Sequence, residues 1–169
     1  MFKSKLPNGS SNFLARVLPT VSADAHCDIP CGIYEPTPAK IAAMTVLRMA
    51  LQIKELKEPD WNNKDAILAY MNSFSRRIAV KEEHAKMCKK ELEILWSDFF
   101  KSEHLEKFPH LHDTFWKAVK LCSKNKQEIN EDAARQLVLA VDEIAKMFYA
   151  AKDAPERYEH YHALTEKLF

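Results

Sequence analysis

The strongest constraint on this chain is an apolar seam that keeps helical step from about Asn63 to Phe100. Ile67, Met71, Phe74, Ile78, Lys81, Ala85, Cys88, Leu92, Leu95 and Phe99 recur by alternating steps of four and three. A period of about 3.5 residues sustained over several heptads sets one face of a long helix against partner helices. Lys81 is the single charged member of that seam. Only 2 of the 169 residues are glycine, and most segments carry Ala, Leu, Lys and Glu. The expected class is therefore all-α, and the length suits one domain with a real core.

The other helices follow from caps and breakers. Thr37-Pro38 reads as an N-cap with proline at the first helical position, and the first helix runs to about Leu56. Its polar residues Thr45, Arg48, Gln52 and Glu55 form one narrow stripe, while Ile41, Met44, Leu47 and Leu51 make the remainder apolar. A helix wet on so little of its surface is covered on more than one side, which predicts an oligomer contact beside the core contact. Glu58-Pro59-Asp60 makes the next connection. Pro109 opens or kinks a third helix with Leu111, Phe115, Val119 and Cys122 inward, and the polar stretch from Ser123 to Asn130 reads as loop. A fourth helix spans about Glu131 to Lys152, with Ala133, Leu137, Ala140, Ile144, Phe148 and Ala151 inward. Asp153-Ala154-Pro155 breaks it, and a tail helix follows with Tyr158, Tyr161, Leu164 and Leu168 on one face. Short connections between four apolar-striped helices predict an antiparallel four-helix bundle, with a short C-terminal tail helix.

Composition excludes several classes of partner. A net charge of +1 leaves no electrostatic footprint for nucleic acid or an anionic membrane. No apolar run approaches the roughly 20 residues of a membrane span. Cys88 and Cys122 stand alone in apolar helical settings and read as buried free thiols, which fits a reducing, cytoplasmic compartment. The leader from Met1 to Ala25 has an apolar patch, Phe13 to Leu18, that is short and interrupted by Arg16. A secretory core needs roughly 7–15 uninterrupted apolar residues. The leader thus reads either as a tail or as a removable pro-segment.

The chemistry concentrates in His26-Cys27-Asp28-Ile29-Pro30-Cys31-Gly32-Ile33-Tyr34. This stretch holds two of the four cysteines and one of the two glycines. Pro30 fixes its own φ and bends the path, with Ile29-Pro30 a candidate cis bond, and Gly32 permits a backbone angle that other residues avoid. A tight turn there would bring both sulfurs to one point beside an imidazole. Were the chain cut after Ala25, His26 would also offer an α-amine, and the Cys27 amide would close a chelate ring. Two nitrogens and two sulfurs in one plane suit nickel or copper better than tetrahedral zinc. The cysteine spacing alone also admits a disulfide or a plain loop.

The nonapeptide resembles the H-C-D-x-P-C-G-x-Y signature of the nickel superoxide dismutases. The likeness continues through Lys81-Glu82-Glu83-His84-Ala85, Leu95-Trp96-Ser97-Asp98-Phe99-Phe100-Lys101 and the segment from His104 to His112, covering roughly His26 to Lys152. The resemblance implies a pro-segment (residues 1–25) cut between Ala25 and His26 by a maturation protease, a nickel-binding hook (26–36) and a bundle (37–152); the C-terminal tail (153–169) lies beyond what it covers. It implies metal ligation by the His26 amine and imidazole, the Cys27 amide and thiolate, and the Cys31 thiolate. The implied reaction is dismutation of superoxide to dioxygen and hydrogen peroxide by Ni(II)/Ni(III) cycling in a homohexamer. Asp28 and Tyr34 match positions that shape the hook and substrate pocket. Pro30, His84 and Lys101 are candidates for support behind the ligands.

The sequence also departs from the family. A Glu and an Arg that hydrogen-bond the histidine ring in well-known members correspond here to Ala42 and His84, and Phe99 replaces a second tyrosine. Three other readings compete. A di-iron bundle needs Glu-x-x-His on two of its helices, and the chain does not supply that pair. His110-x-His112 and His160-x-His162 point apart on a helix and read as solvent histidines rather than a zinc site. A non-enzymatic helical bundle that uses Cys27 and Cys31 as a redox-sensing or metal-holding pair would need no cleavage.

Overall fold

The structure, a computed structural model, describes residues 32–169. All regular elements among them are helical. They are α1 (Thr37–Lys54), α2 (Lys64–Ile94), a short α3 (His104–Lys107), α4 (Leu111–Gln127), α5 (Glu131–Ala151) and α6 (Glu156–Thr165). α1, α2, α4 and α5 form the expected bundle, with α6 packed on α5 and α1. The buried core draws on all four long helices: Val46, Leu92, Phe115, Leu137, Ile144 and Phe148 are each fully enclosed.

Each boundary has a local cause. Asn63 caps α2 by accepting from the amides of Asp65 and Ala66 at 3.0 and 3.2 Å, and Asn130 caps α5 through Ala133 at 2.9 Å. α1 starts differently from the sequence expectation. Pro36 occupies the cap position with no side-chain bond, and Thr37 already lies in the helix. The Thr37 hydroxyl instead donates to Glu35 at 3.0 Å.

α2 does not run unbroken to Phe100. Regular turns stop at Ile94, and Leu95–Phe99 form one wider turn closed by the Phe100 amide on the Leu95 carbonyl at 3.1 Å. Such wide turns insert a residue into the helical register and redirect the side chains that follow. Here Phe99 and Phe100 both turn inward, meeting edge to face at 4.9 Å. Phe99 then lies 4.4 Å from Phe148, and Phe100 lies 5.4 Å from Phe115.

The loop expected from Ser123 to Asn130 is mostly helix, because α4 continues to Gln127. Two buried polar groups make the extra turn possible. The Asn125 amide donates to the carbonyls of Leu121 and Ala133 at 2.9 and 3.0 Å. Lys81, 1% exposed, points its ammonium at the carbonyls of Asn125, Lys126 and Glu128. Those carbonyls lie at or just beyond the C-terminal end of α4, where the helix dipole favours a cation. Burial lowers the Lys81 pKa from its ordinary value. The charged entry in the seam is thus the plug of a neighbouring helix end.

Lys81 also marks where the seam ceases to be core. Ala85, Cys88, Leu92 and Leu95 beyond it are buried, whereas Met71 and Leu68 before it are more than half exposed. Near the end of α1, Gln52 accepts from Arg77 Nε of α2 at 3.2 Å. Tyr70 and Phe74 in the first turns of α2 form a local aromatic ladder with Trp61, which precedes the helix. α1 packs on α2, α5 and α6 of its own chain, while Ile41 on its apolar surface stays about half exposed. The tail helix buries Tyr161 and Thr165, while Leu164 and Leu168 stay exposed. Tyr161 wins the inward place because its hydroxyl reaches Asp142 at 3.3 Å.

Replacing Lys81 by methionine keeps the length of the side chain and removes every donor. Lys81→Met is expected to lower unfolding free energy by about 1–3 kcal/mol, since carbonyls lose their partner. Urea denaturation checks this, and hydrogen exchange should accelerate first in the last turn of α4.

Candidate metal centre and its support

Of the residues singled out from sequence, Ala25, His26, Cys27, Asp28, Pro30 and Cys31 lie outside the described residues. Description begins at Gly32, whose φ of +75° fits the turn expected of it. Ile33 is exposed at 79%, and Tyr34 is half-buried. The Tyr34 ring lies 5.8 Å from Phe99. Phe99 is in turn enclosed by Phe148, by Phe100 and by the parallel ring of His104 at 5.8 Å. The Lys152 ammonium lies over both Phe99 and Phe148, at 5.9 and 5.0 Å from the ring centres. The wide turn at the end of α2 therefore builds an aromatic seat for the tyrosine that enters the bundle.

Glu35, which no sequence pattern singled out, gathers polar contacts from α1, α5 and α6. It accepts from the Thr37 hydroxyl and from the hydroxyl of Tyr149 on α5. Its second oxygen faces the Arg157 guanidinium on α6 at 3.7 Å. Tyr149 is 3% exposed. Burial first, and the neighbouring carboxylate second, push its pKa far above the usual tyrosine range. Tyr149 is therefore a hydrogen-bond donor at every physiological pH.

His84 sits on the flank of α2, half-buried, with Nδ1 at 2.9 Å from the Val80 carbonyl of its own helix. A carbonyl can only accept, so Nδ1 carries the proton and donates. In the neutral ring Nε2 then presents a lone pair. Ala42 is buried at 2%. Lys101 is exposed, and its backbone amide donates to His104 Nδ1 at 3.0 Å.

The remaining candidate donors are used elsewhere. Cys88 and Cys122 are free and fully buried. The hydrogen bond between the two thiols, together with burial, pushes the Cys88 pKa well up, so it packs as a protonated thiol. His112 accepts from the Trp96 indole at 2.8 Å. His110 and His160 are exposed, as expected of solvent histidines. Among the described residues no three His, Cys, Asp or Glu converge to hold a metal ion.

Comparison with known proteins gives a consistent result. The family model described as nickel-containing superoxide dismutase matches residues 21–152. The superoxide dismutase [Ni] of Streptomyces seoulensis is 34% identical over 136 residues, covering 80% of this chain and 95% of that protein. Its counterpart from Streptomyces coelicolor is 32% identical over the same length and coverage. A crystal structure of Ni-containing superoxide dismutase, with nickel ligation of the oxidized state, superposes with a TM-score of 0.65 at 31% identity. It covers 76% of this chain and all of that one, as does the native structure of the enzyme at 29% identity. Helix α6 lies beyond the matched range.

Proposed function

The chain belongs to the nickel-containing superoxide dismutase family, and from that premise we propose that His26, Cys27 and Cys31 hold its metal after cleavage behind Ala25. Membership makes it an oxidoreductase that converts superoxide to dioxygen and hydrogen peroxide, with nickel as cofactor. The non-enzymatic thiol sensor is accordingly not favoured.

The donor inventory carries the residue assignment. The described residues offer no converging ligand set, and two of the four thiols, Cys88 and Cys122, are enclosed in the core. Cys27 and Cys31 remain, with an imidazole directly beside the first. Removal of residues 1–25 frees the His26 α-amine, and the Cys27 amide lies between amine and thiolate. This donor set is soft and electron-rich, which suits a late first-row metal and stabilises its higher oxidation state. Bound there, nickel supplies a one-electron Ni(II)/Ni(III) couple, so that one superoxide is oxidised to dioxygen and a second is reduced and takes up two protons to give hydrogen peroxide.

The protein's own residues orient and exclude. Tyr34, seated on Phe99, presents its phenol three residues after Cys31 as a donor to the incoming anion. Asp28 and Pro30 shape the turn between the two thiolates. His84 stands in for the acidic and basic partners of other members, because its Nε2 lone pair is the kind of acceptor that a ligating imidazole N–H requires. Lys101, exposed beside the seat of Tyr34, contributes positive charge toward an anionic substrate.

The proposed assembly is a homohexamer working in the cytoplasm, after a maturation protease has removed the pro-segment. Apolar surface open to association among the described residues includes Ile41 on α1, the helix expected to make an oligomer contact, and the first half of α2, where Leu68 and Met71 are 55% and 56% exposed. No helix among the described residues is long and apolar enough to cross a membrane.

Intact mass of the protein purified from nickel-replete cells should show loss of residues 1–25 and a His26 terminus. A retained leader in active protein would contradict the ligand assignment. Cys27→Ser and Cys31→Ser should each abolish superoxide turnover and nickel retention while helical circular dichroism is unchanged. Sedimentation of the processed protein should give a hexamer, and Met71→Asp should dissociate it; a monomer at all concentrations would refute the assembly.

A further inference from the structure

The C-terminal helix lies outside the family match, yet it is fastened to the start of the described chain. Tyr161 of α6 reaches Asp142, which grips the buried Lys40 ammonium with both oxygens at 2.6 Å. The ring of Tyr161 also lies 5.8 Å from that of Tyr149. Arg157, one turn earlier on α6, lies over the Tyr149 ring at 5.5 Å and faces Glu35 at 3.7 Å. Tyr149 and Thr37 both donate to Glu35. The carboxylate is thereby held from α1, α5 and α6 at once.

We propose that Glu35 is a positioning residue for the nickel-binding segment, clamped by Tyr149, Thr37 and Arg157, with α6 serving as the outer jaw of the clamp. The inference rests on the ligand assignment made above. Glu35 follows Tyr34 directly and stands four residues after Cys31. Fixing it removes conformational freedom from the segment that leads out of the metal site. A chain already fixed there loses less freedom when Cys31 engages the ion.

The contacts differ in weight. Arg157 and Glu35 are 56% and 35% exposed at their side chains, so that ion pair is screened and weak. The Tyr149 bond is charge-assisted and comes from a buried hydroxyl, and it dominates. Arg157 acts mainly by covering the Tyr149 ring.

The test uses the processed, nickel-loaded protein and three variants: Glu35→Ala, Glu35→Gln and Tyr149→Phe. Nickel affinity is read by chelator competition, and the thiolate-to-nickel charge-transfer absorption reports the geometry at the metal. Glu35→Ala should weaken nickel binding by about tenfold or more and shift the band, in the range seen when support behind a metal ligand is lost. Tyr149→Phe, which loses only one oxygen, should weaken binding by roughly threefold to tenfold and decides the matter if Glu35→Ala does not fold. Glu35→Gln keeps an acceptor for both hydroxyls and should remain within about threefold of the unsubstituted protein. Unchanged affinity and an unchanged band in Glu35→Ala and Tyr149→Phe, with or without a lower Tm, would overturn the inference alone. Absence of the charge-transfer band from the unsubstituted protein would overturn the ligand assignment, and this inference with it.

Discussion

The contact between Phe99 and Phe148 is the constraint from which the functional end of the bundle follows. Two rings 4.4 Å apart join the end of α2 to the last turns of α5. Their surface supports Tyr34, and through Tyr34 the chain enters the bundle at a defined place. The pairing is possible only because the helix widens at Leu95–Phe99 and turns both phenylalanines inward. Lys152 closes the seat from outside by lying over both rings. The proposed metal-binding segment would thus lead into an aromatic anchor at Tyr34, three residues after Cys31. Phe99 supplies the ring on which Tyr34 rests.

A second tier of support is polar and buried. Lys81 plugs the end of α4, and Lys40 pairs with Asp142 where α1 meets α5. Neither charge stands alone, which is the condition for burying it at all. The same economy appears at the tail. α6 offers little apolar area, since Leu164 and Leu168 stay exposed, but it carries Tyr161 and Arg157 to partners already fixed in the bundle. Its place is set by hydroxyl and guanidinium contacts rather than by a hydrophobic stripe.

Much of this was legible in the sequence, for reasons that differ between fold and site. The seam of α2 declares itself because its members repeat within one helix, and the inward faces of α4 and α5 do so for the same reason. The polar stretch after Ser123 misled because its helix is completed by Lys81, which lies 44 residues from Asn125 along the chain. The tail's expected face holds for Tyr158 and Tyr161 but not for Leu164 and Leu168, because a tyrosine has a carboxylate, Asp142, to bond and the leucines have none. The wide turn after Ile94 is a slip of hydrogen bonding and leaves no mark in residue spacing. At the site, the proposed ligands are contiguous, so their nonapeptide is readable as a unit. Glu35 was not, because its principal donor, Tyr149, lies 114 residues away.

The bundle therefore explains how the described chain is held, and the proposed His26 terminus is what the chemistry would require. The most direct measurement is electron paramagnetic resonance of the processed, nickel-loaded protein as isolated, with histidine at natural abundance and then labelled with nitrogen-15. The account predicts a Ni(III) signal split by one nitrogen, with three lines collapsing to two on labelling, and loss of that splitting in His26→Gln. A processed protein that binds nickel yet gives no such signal, or a splitting indifferent to the label, would contradict it.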